Sequence, residues 1–174
     1  MATVTDKDLG WKRILKETQK LKKSYTAVGF FGNGGSPGTD IAARAAVNEY
    51  GATIRVTKKM RGFFAAKFGI GLKKSTNVIR IPARPSMAKT YSLHKRKIVE
   101  RQAIEWGKLI DGKQTARRSL ARLGEWYVGR IKWVIKTVRF APNSSLTVKT
   151  KGSSKPLIQS GEMRNSVTHR EEIR

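Results

Sequence analysis

The chain has no cysteine among its 174 residues. That excludes disulfides, thiolate metal ligands and cysteine nucleophiles, and with them a disulfide-framed secreted domain. Carboxylates are scarce, 12 against 37 lysines and arginines, giving a formal net charge of +25. Long apolar runs are missing as well. None approaches the roughly 20 residues that span a bilayer, and the N-terminus has no secretory apolar segment. The length suits one ordinary domain with a tail, and 39% hydrophobic residues can still supply a small core between charged helices. The expectation is a basic protein made in the cytoplasm, with no membrane partner.

What is abundant is positive charge, and it is unevenly placed. Between Glu49 and Glu100 there are thirteen bases and no carboxylate; between Glu125 and Glu162 there are seven more. Local ion pairs cannot neutralise such stretches, so the folded chain repels itself unless something anionic absorbs the field. A solvated face is the ordinary reading of a charge run. At this excess, sequence-independent contact with phosphates becomes the expectation, salt-sensitive and without base readout. No zinc finger, RNP motif or basic zipper is present. Lys58, Lys59, Arg61, Lys73, Lys74, Lys149, Lys151 and Lys155 are the candidates for facing DNA or an acidic partner.

The patterning predicts an α+β fold: a small, mostly antiparallel sheet packed by long amphipathic helices, with an extended C-terminal arm. A helix is expected over 6–24, capped by Thr5 or Asp6, with Trp11, Ile14, Leu15, Thr18 and Leu21 on one stripe. The apolar run 26–31 reads as a strand entering the glycine-rich 32–38. A helix over 40–50 is expected from a Thr39 cap to a left-handed Gly51, followed by a strand over 52–57. Residues 58–76 carry Phe63, Phe64 and Phe68 and fit either a short helix plus loop or a wide hairpin. A strand over 77–81 stops at Pro82 and Pro85. Two long helices follow, about 86–110 and 114–137, turning at Asp111-Gly112. Ile98, Ala103, Ile104 and Leu109 are expected on the apolar side of the first. Leu120, Leu123, Tyr127, Ile131, Val134 and Val138 form the stripe of the second. A core domain over 1–138 is then followed by a basic arm over 139–174, with a short strand near 164–170.

Tests for chemistry give no constellation. The glycine cluster Gly29, Gly32, Gly34, Gly35 and Gly38 lies between a strand and a helix, but no lysine follows it before Lys58, and Pro37 stands where a dinucleotide loop needs glycine. His94 sits in the string His94-Lys95-Arg96-Lys97, a poor setting for a base or a metal ligand. Glu100 and Glu105, five apart, share a helix face badly, and Ser160 lacks the glycine before it that a nucleophile elbow needs. The chain reads as non-enzymatic, without cofactor or metal.

Two segments carry a resemblance. One is Tyr50-Gly51-Ala52, then bases and aromatics, then Ile81-Pro82-Ala83-Arg84-Pro85. The other is Ala141-Pro142-Asn143-Ser144-Ser145-Leu146-Thr147-Val148-Lys149, with Lys151-Gly152, and then Lys155 through Val167 (KPLIQSGEMRNSV). In this order they resemble the tail-completion proteins of tailed bacteriophages, the neck or head–tail joining group that includes minor tail protein Z-like and virion-morphogenesis proteins. The resemblance spans most of residues 25–170. It implies a subunit of a ring, usually a hexamer, that joins the head connector or head-closure protein to the tail terminator or tube around a DNA channel in the virion. It also implies interface roles for Pro82, Arg84, Pro85, Leu157, Ile158, Ser160, Gly161 and Arg164.

A closed ring of such subunits concentrates positive charge that viral DNA in its lumen, or acidic neighbouring rings, would offset. The arm is expected to lend its strand to a neighbour's sheet edge, so that truncation after Val138 would abolish assembly and leave a folded monomer. The alternative is a free basic protein that binds nucleic acid without sequence preference, associated with ribosome or nucleoid. Stable rings without nucleic acid favour the first reading; a monomer that binds duplex or RNA tightly favours the second.

Overall fold

The computed structural model describes residues 10–32, 34, 40–144, 147–148, 154–157 and 161–174. The caps expected from Thr5, Asp6 and Thr39 lie outside the described residues, as do Gly35, Pro37, Gly38, Lys149, Lys151, Ile158 and Ser160. The fold is α+β. Its antiparallel pairing is divided between two two-stranded ladders, and the chain forms two compact units, each built from segments distant in sequence.

The first unit takes Met1–Gly29, Tyr91–Ile131 and Val167–Arg174. It contains α1 (Trp11–Lys23), β1 (Tyr25–Gly29), most of α4 (Ser86–Ile110), most of α5 (Ala116–Thr137) and β4 (Thr168–Glu172). Helix α1 begins after Gly10, whose φ of 107° no L side chain adopts cheaply, and ends where Ser24 Oγ donates to Lys20 O at 2.7 Å. Its last turn carries Lys20, Lys22 and Lys23, where cations suit the helix dipole. Strand β4 pairs antiparallel with β1 of its own chain, with Val28 opposite His169. The strand expected near 164–170 thus lies at Thr168–Glu172. Gly124 lets α5 lie flat on this ladder, since a Cβ there would stand 2.6 Å from the His169 ring and 2.8 Å from Thr26 Oγ1. Leu109, Ala116, Leu120, Leu123, Ile131 and Val167 fill the core.

The second unit takes Phe30–Thr90 and Lys132–Ser166. It holds α2 (Ile41–Tyr50), β2 (Ala52–Arg55), α3 (Lys58–Phe68), β3 (Val78–Ile81), the first turn of α4, the end of α5 and α6 (Glu162–Asn165). Asp40 caps α2, its buried carboxylate accepting from Ala42 N at 2.7 Å. Gly51 has the positive φ expected of it, 75°, but with ψ 172°, so the chain turns straight into β2 and forms no left-handed cap. A side chain would also be refused there, because a Cβ would lie 2.8 Å from Ile81 O across the β2–β3 ladder. Residues 58–76 form a helix plus loop, held at the end of that ladder. The core is thin: Ala45, Val134, Ile135 and Leu157.

Of the described residues after 138, 139–144, 147–148, 154–157 and 161–166 group with the second unit and 167–174 with the first. Helix α4 also departs from its expected face. Ala103 and Ile104 are exposed, while Thr90, His94, Glu105 and Leu109 are buried. Spacings of 4, 11 and 4 put that face on one side of the helix, but three of its four residues are polar, and a hydropathy pattern assigns them to solvent. The α5 stripe holds, with Leu120, Leu123, Ile131 and Val134 buried.

Candidate nucleic-acid and subunit interfaces

The two segments that carry the resemblance close on each other. Arg84 is only 6% exposed. Its Nε donates to Ala141 O at 2.8 Å, and its Nη2 donates to Pro142 O at 3.0 Å and to Asn143 Oδ1 at 3.2 Å. The planar fork of guanidinium matches three acceptors that a lysine could not reach together. Burial lowers the Arg84 pKa from its ordinary value, and the carbonyl dipoles hold the charge in place. Asn143 Nδ2 lies 3.4 Å from Ser154 O and from Lys155 O, extending the tie to the second half of the C-terminal motif. Leu157 follows, buried and at φ 61°, a backbone conformation that costs a leucine on the order of 1–2 kcal/mol.

Around this tie lies a cleft of about 630 Å³, lined among others by Ile41, Arg44, Ile81, Pro82, Arg84, Asn143, Leu157 and Glu162. Arg44 Nη2 pairs with Glu162 Oε1 at 2.9 Å at its mouth. Of the expected interface residues, Pro82 and Pro85 are exposed, and Gly161 and Arg164 are half-buried, with Arg164 donating to Asn165 Oδ1 at 3.2 Å. Arg84 and Leu157 are spent inside the chain. The tie links residues 57 to 59 positions apart, a proximity that motif order alone does not reveal.

Lys58, Lys59, Arg61, Lys73 and Lys74 all fall on one excursion, the β2–α3–β3 stretch over 52–81. No residue in it is buried. Arg61 is a clasp: its Nη1 donates to Leu72 O and Lys73 O at 3.2 and 2.7 Å, and its Nη2 to Lys74 O and Thr76 O at 3.3 and 2.7 Å. The four lysines point to solvent, as does Lys155. Phe63, Phe64 and Phe68 pack on one another with centroids 5.8 to 6.0 Å apart.

The first unit combines exposed cations with an apolar cleft. A cleft of about 340 Å³ is lined by Leu21, Tyr25, Val28, Tyr91, Ile98, Trp106, Leu120 and Tyr127, among others. Trp11 (63% exposed), Val99 (64%) and Ile110 (58%) are further large apolar side chains open to solvent in this unit, and no residue of α1 is buried.

The titratable groups flagged in the sequence serve the scaffold. Glu105 is 1% exposed. It pairs with Arg101 at 2.7 Å and Lys108 at 3.2 Å, and accepts from Gln114 Nε2 at 3.0 Å. Burial pushes its pKa up, but the Gln114 and Lys108 hydrogen bonds and the Arg101 charge outweigh it and hold the carboxyl below its ordinary value. His94 packs near Trp126, with centroids 6.4 Å apart, and His169 Nε2 lies 3.0 Å from Glu171 Oε1. Among the described residues no group of three His, Cys, Asp or Glu could hold a metal ion. Gly32 lies against the Asp40 carboxylate, where a Cβ would collide with it, and a phosphate brought there would meet a negative charge. No described helix is long and apolar enough to cross a membrane. Comparison with protein-family models, curated proteins and solved structures gave no match.

Proposed function

We propose that this chain is a structural component of the neck of a tailed bacteriophage virion. Copies of it assemble into a ring, on the order of six, that joins the head connector to the tail around the DNA channel. The observation that carries the reading is the Arg84 tie. The two segments on which the resemblance rests form a single local structure, as expected of one paired motif, although about sixty residues separate them.

One further feature supports assembly, and one opposes it. The first unit exposes tryptophan, valine and isoleucine side chains and has an open apolar cleft, surfaces that neighbouring subunits would cover. The charge of +25 disfavours contact between like subunits, so the apolar term has to outweigh it until an anionic partner offsets the field. A heterologous contact that closes on itself yields a ring.

Native mass measurement of the purified protein in nuclease-treated, moderate-salt buffer tests the reading. A closed assembly of several copies is expected. A monomer at micromolar concentration that binds duplex or RNA tightly would contradict it and favour a free nucleic-acid-binding protein.

A further inference from the structure

We infer that the β2–α3–β3 arm, residues 52–81, is the surface of this chain that lies against double-stranded DNA. Two properties of the arm point there. The first is that it is ordered without being packed. Its stalk is the antiparallel ladder pairing Ala52 with Ile81 and Arg55 with Val78. Thr57 Oγ1 caps α3 by accepting from Met60 N at 3.2 Å, and Gly69 at φ 63° closes it. Arg61 then fastens the following loop through four carbonyls, and the three phenylalanine rings pack on each other. All of these bonds are internal, and no residue of the arm is buried. A segment held rigid by its own contacts, and adding nothing to a core, presents a surface.

The second property is the sign of that surface. The arm holds eight cations and no carboxylate. Arg61 is occupied by carbonyls, and Lys67 stands over the Phe63 ring at 5.6 Å. The side chains of Arg55, Lys58, Lys59, Lys73, Lys74 and Arg80 make no hydrogen bond or ion pair among the described residues. Lys58 and Lys59 occupy the first turn of α3, where the helix's own N–H groups already carry partial positive charge, so the fold alone gives them no favourable setting.

An acidic protein surface mixes both signs, whereas duplex DNA offers one negative charge per roughly 1.7 Å of axis with no cation interleaved. A helix of 11 residues, about 16 Å long, spans several phosphates. Nothing in the arm is placed to read bases, so the contact is with the backbone. The inference rests on the neck reading only for the origin of the DNA.

The test is a salt titration of the full chain with a mixed-sequence duplex, comparing wild type with Lys58→Gln/Lys59→Gln/Lys73→Gln/Lys74→Gln. Each lost phosphate contact removes about 0.9 from the slope of log K against log salt. The arm variant should therefore show weaker binding and a slope shallower by about 3 to 4. Its thermal midpoint should not move, since none of the four side chains is buried. A control with the same charge change on exposed helix positions, Lys22→Gln/Lys23→Gln/Lys95→Gln/Lys97→Gln, should keep the wild-type slope.

An unchanged slope in the arm variant, or an equal loss in the control, overturns the inference. So does loss of binding to phosphatidylserine vesicles with the duplex slope intact, which would make the arm a membrane-binding element. Rings that assemble with an unresponsive slope sink this inference alone. Lone subunits with a responsive slope sink the neck reading alone.

Discussion

Glu49, one residue before the end of α2, accepts a hydrogen bond from Met87 N at 2.9 Å and closes the N-terminus of α4. Its other oxygen accepts from Ala88 N at 2.9 Å, and Ser86 Oγ reaches Oε2 at 3.3 Å. A carboxylate from another helix thus satisfies two of the orphan donors, against the positive end of the dipole. Glu49→Ala should cost about 1–2 kcal/mol, the range for a lost charged cap. A lowered denaturant midpoint with an unchanged m-value checks it.

The same device recurs in the first unit, and there it makes stability depend on pH. Glu17 Oε2 accepts from Ala116 N at 2.8 Å, starting α5, while Oε1 pairs with Lys20 at 2.7 Å. Those bonds, Lys20's first, hold the Glu17 carboxyl below its ordinary value of 4.5, and Glu105 is also held below that value. A depressed native pKa means that the unfolded chain takes up protons first as pH falls. The stabilisation is complete above about pH 5 and is lost as pH drops through 4.5 towards the native values. Thermal midpoints from pH 7 to 3 should show this fall, and Glu17→Gln should flatten part of it.

Gly124→Ala should destabilise the first unit by about 1–3 kcal/mol, because a methyl there must displace the His169 ring and Thr26 from the ladder. Gly129→Ala, on the same helix with open space around it, serves as the control and should be neutral or stabilising. Paired urea melts distinguish the two.

Arg84→Ala leaves two carbonyls and the Asn143 amide oxygen without their donor, at a cost of about 2–4 kcal/mol. Arg84→Lys should recover little of it, since an ammonium cannot serve three acceptors in a plane. Limited proteolysis should show new cleavage between Ala141 and Leu157 in both variants.

Truncation after Val138 removes β4, buried Val167 and buried Leu157 together. The product should lose its cooperative thermal transition, and it will not persist as the folded monomer that an exchangeable arm implied. Circular dichroism melts decide between these outcomes.

Much of the scaffold was legible because punctuation and periodicity agreed. Pro82 and Pro85 end β3, and Asp111-Gly112 separates α4 from α5, so the bounds of α4 follow closely. Stripes made of leucine, isoleucine and valine, as on α5, announce their buried side. The buried face of α4 does not, since Thr90, His94 and Glu105 are polar, and Glu105 is met by Gln114 beyond the helix as well as by Arg101 and Lys108 on it. Reach across the chain is equally silent: Glu17 meets Ala116 at a separation of 99 residues. Among the candidate cations, the sequence could not separate Arg61, bound to four carbonyls, from Lys58 and Lys59 beside it. The spacing of bases says where charge is, and the fold decides which charges are free.

The neck position is tested most directly by imaging virions made from the genome that encodes this chain, with the protein carrying a gold-binding tag. Label confined to the junction of head and tail, on a ring of density around the channel, is the expected result. Particles that assemble fully and infect, yet contain none of the tagged protein, would contradict it.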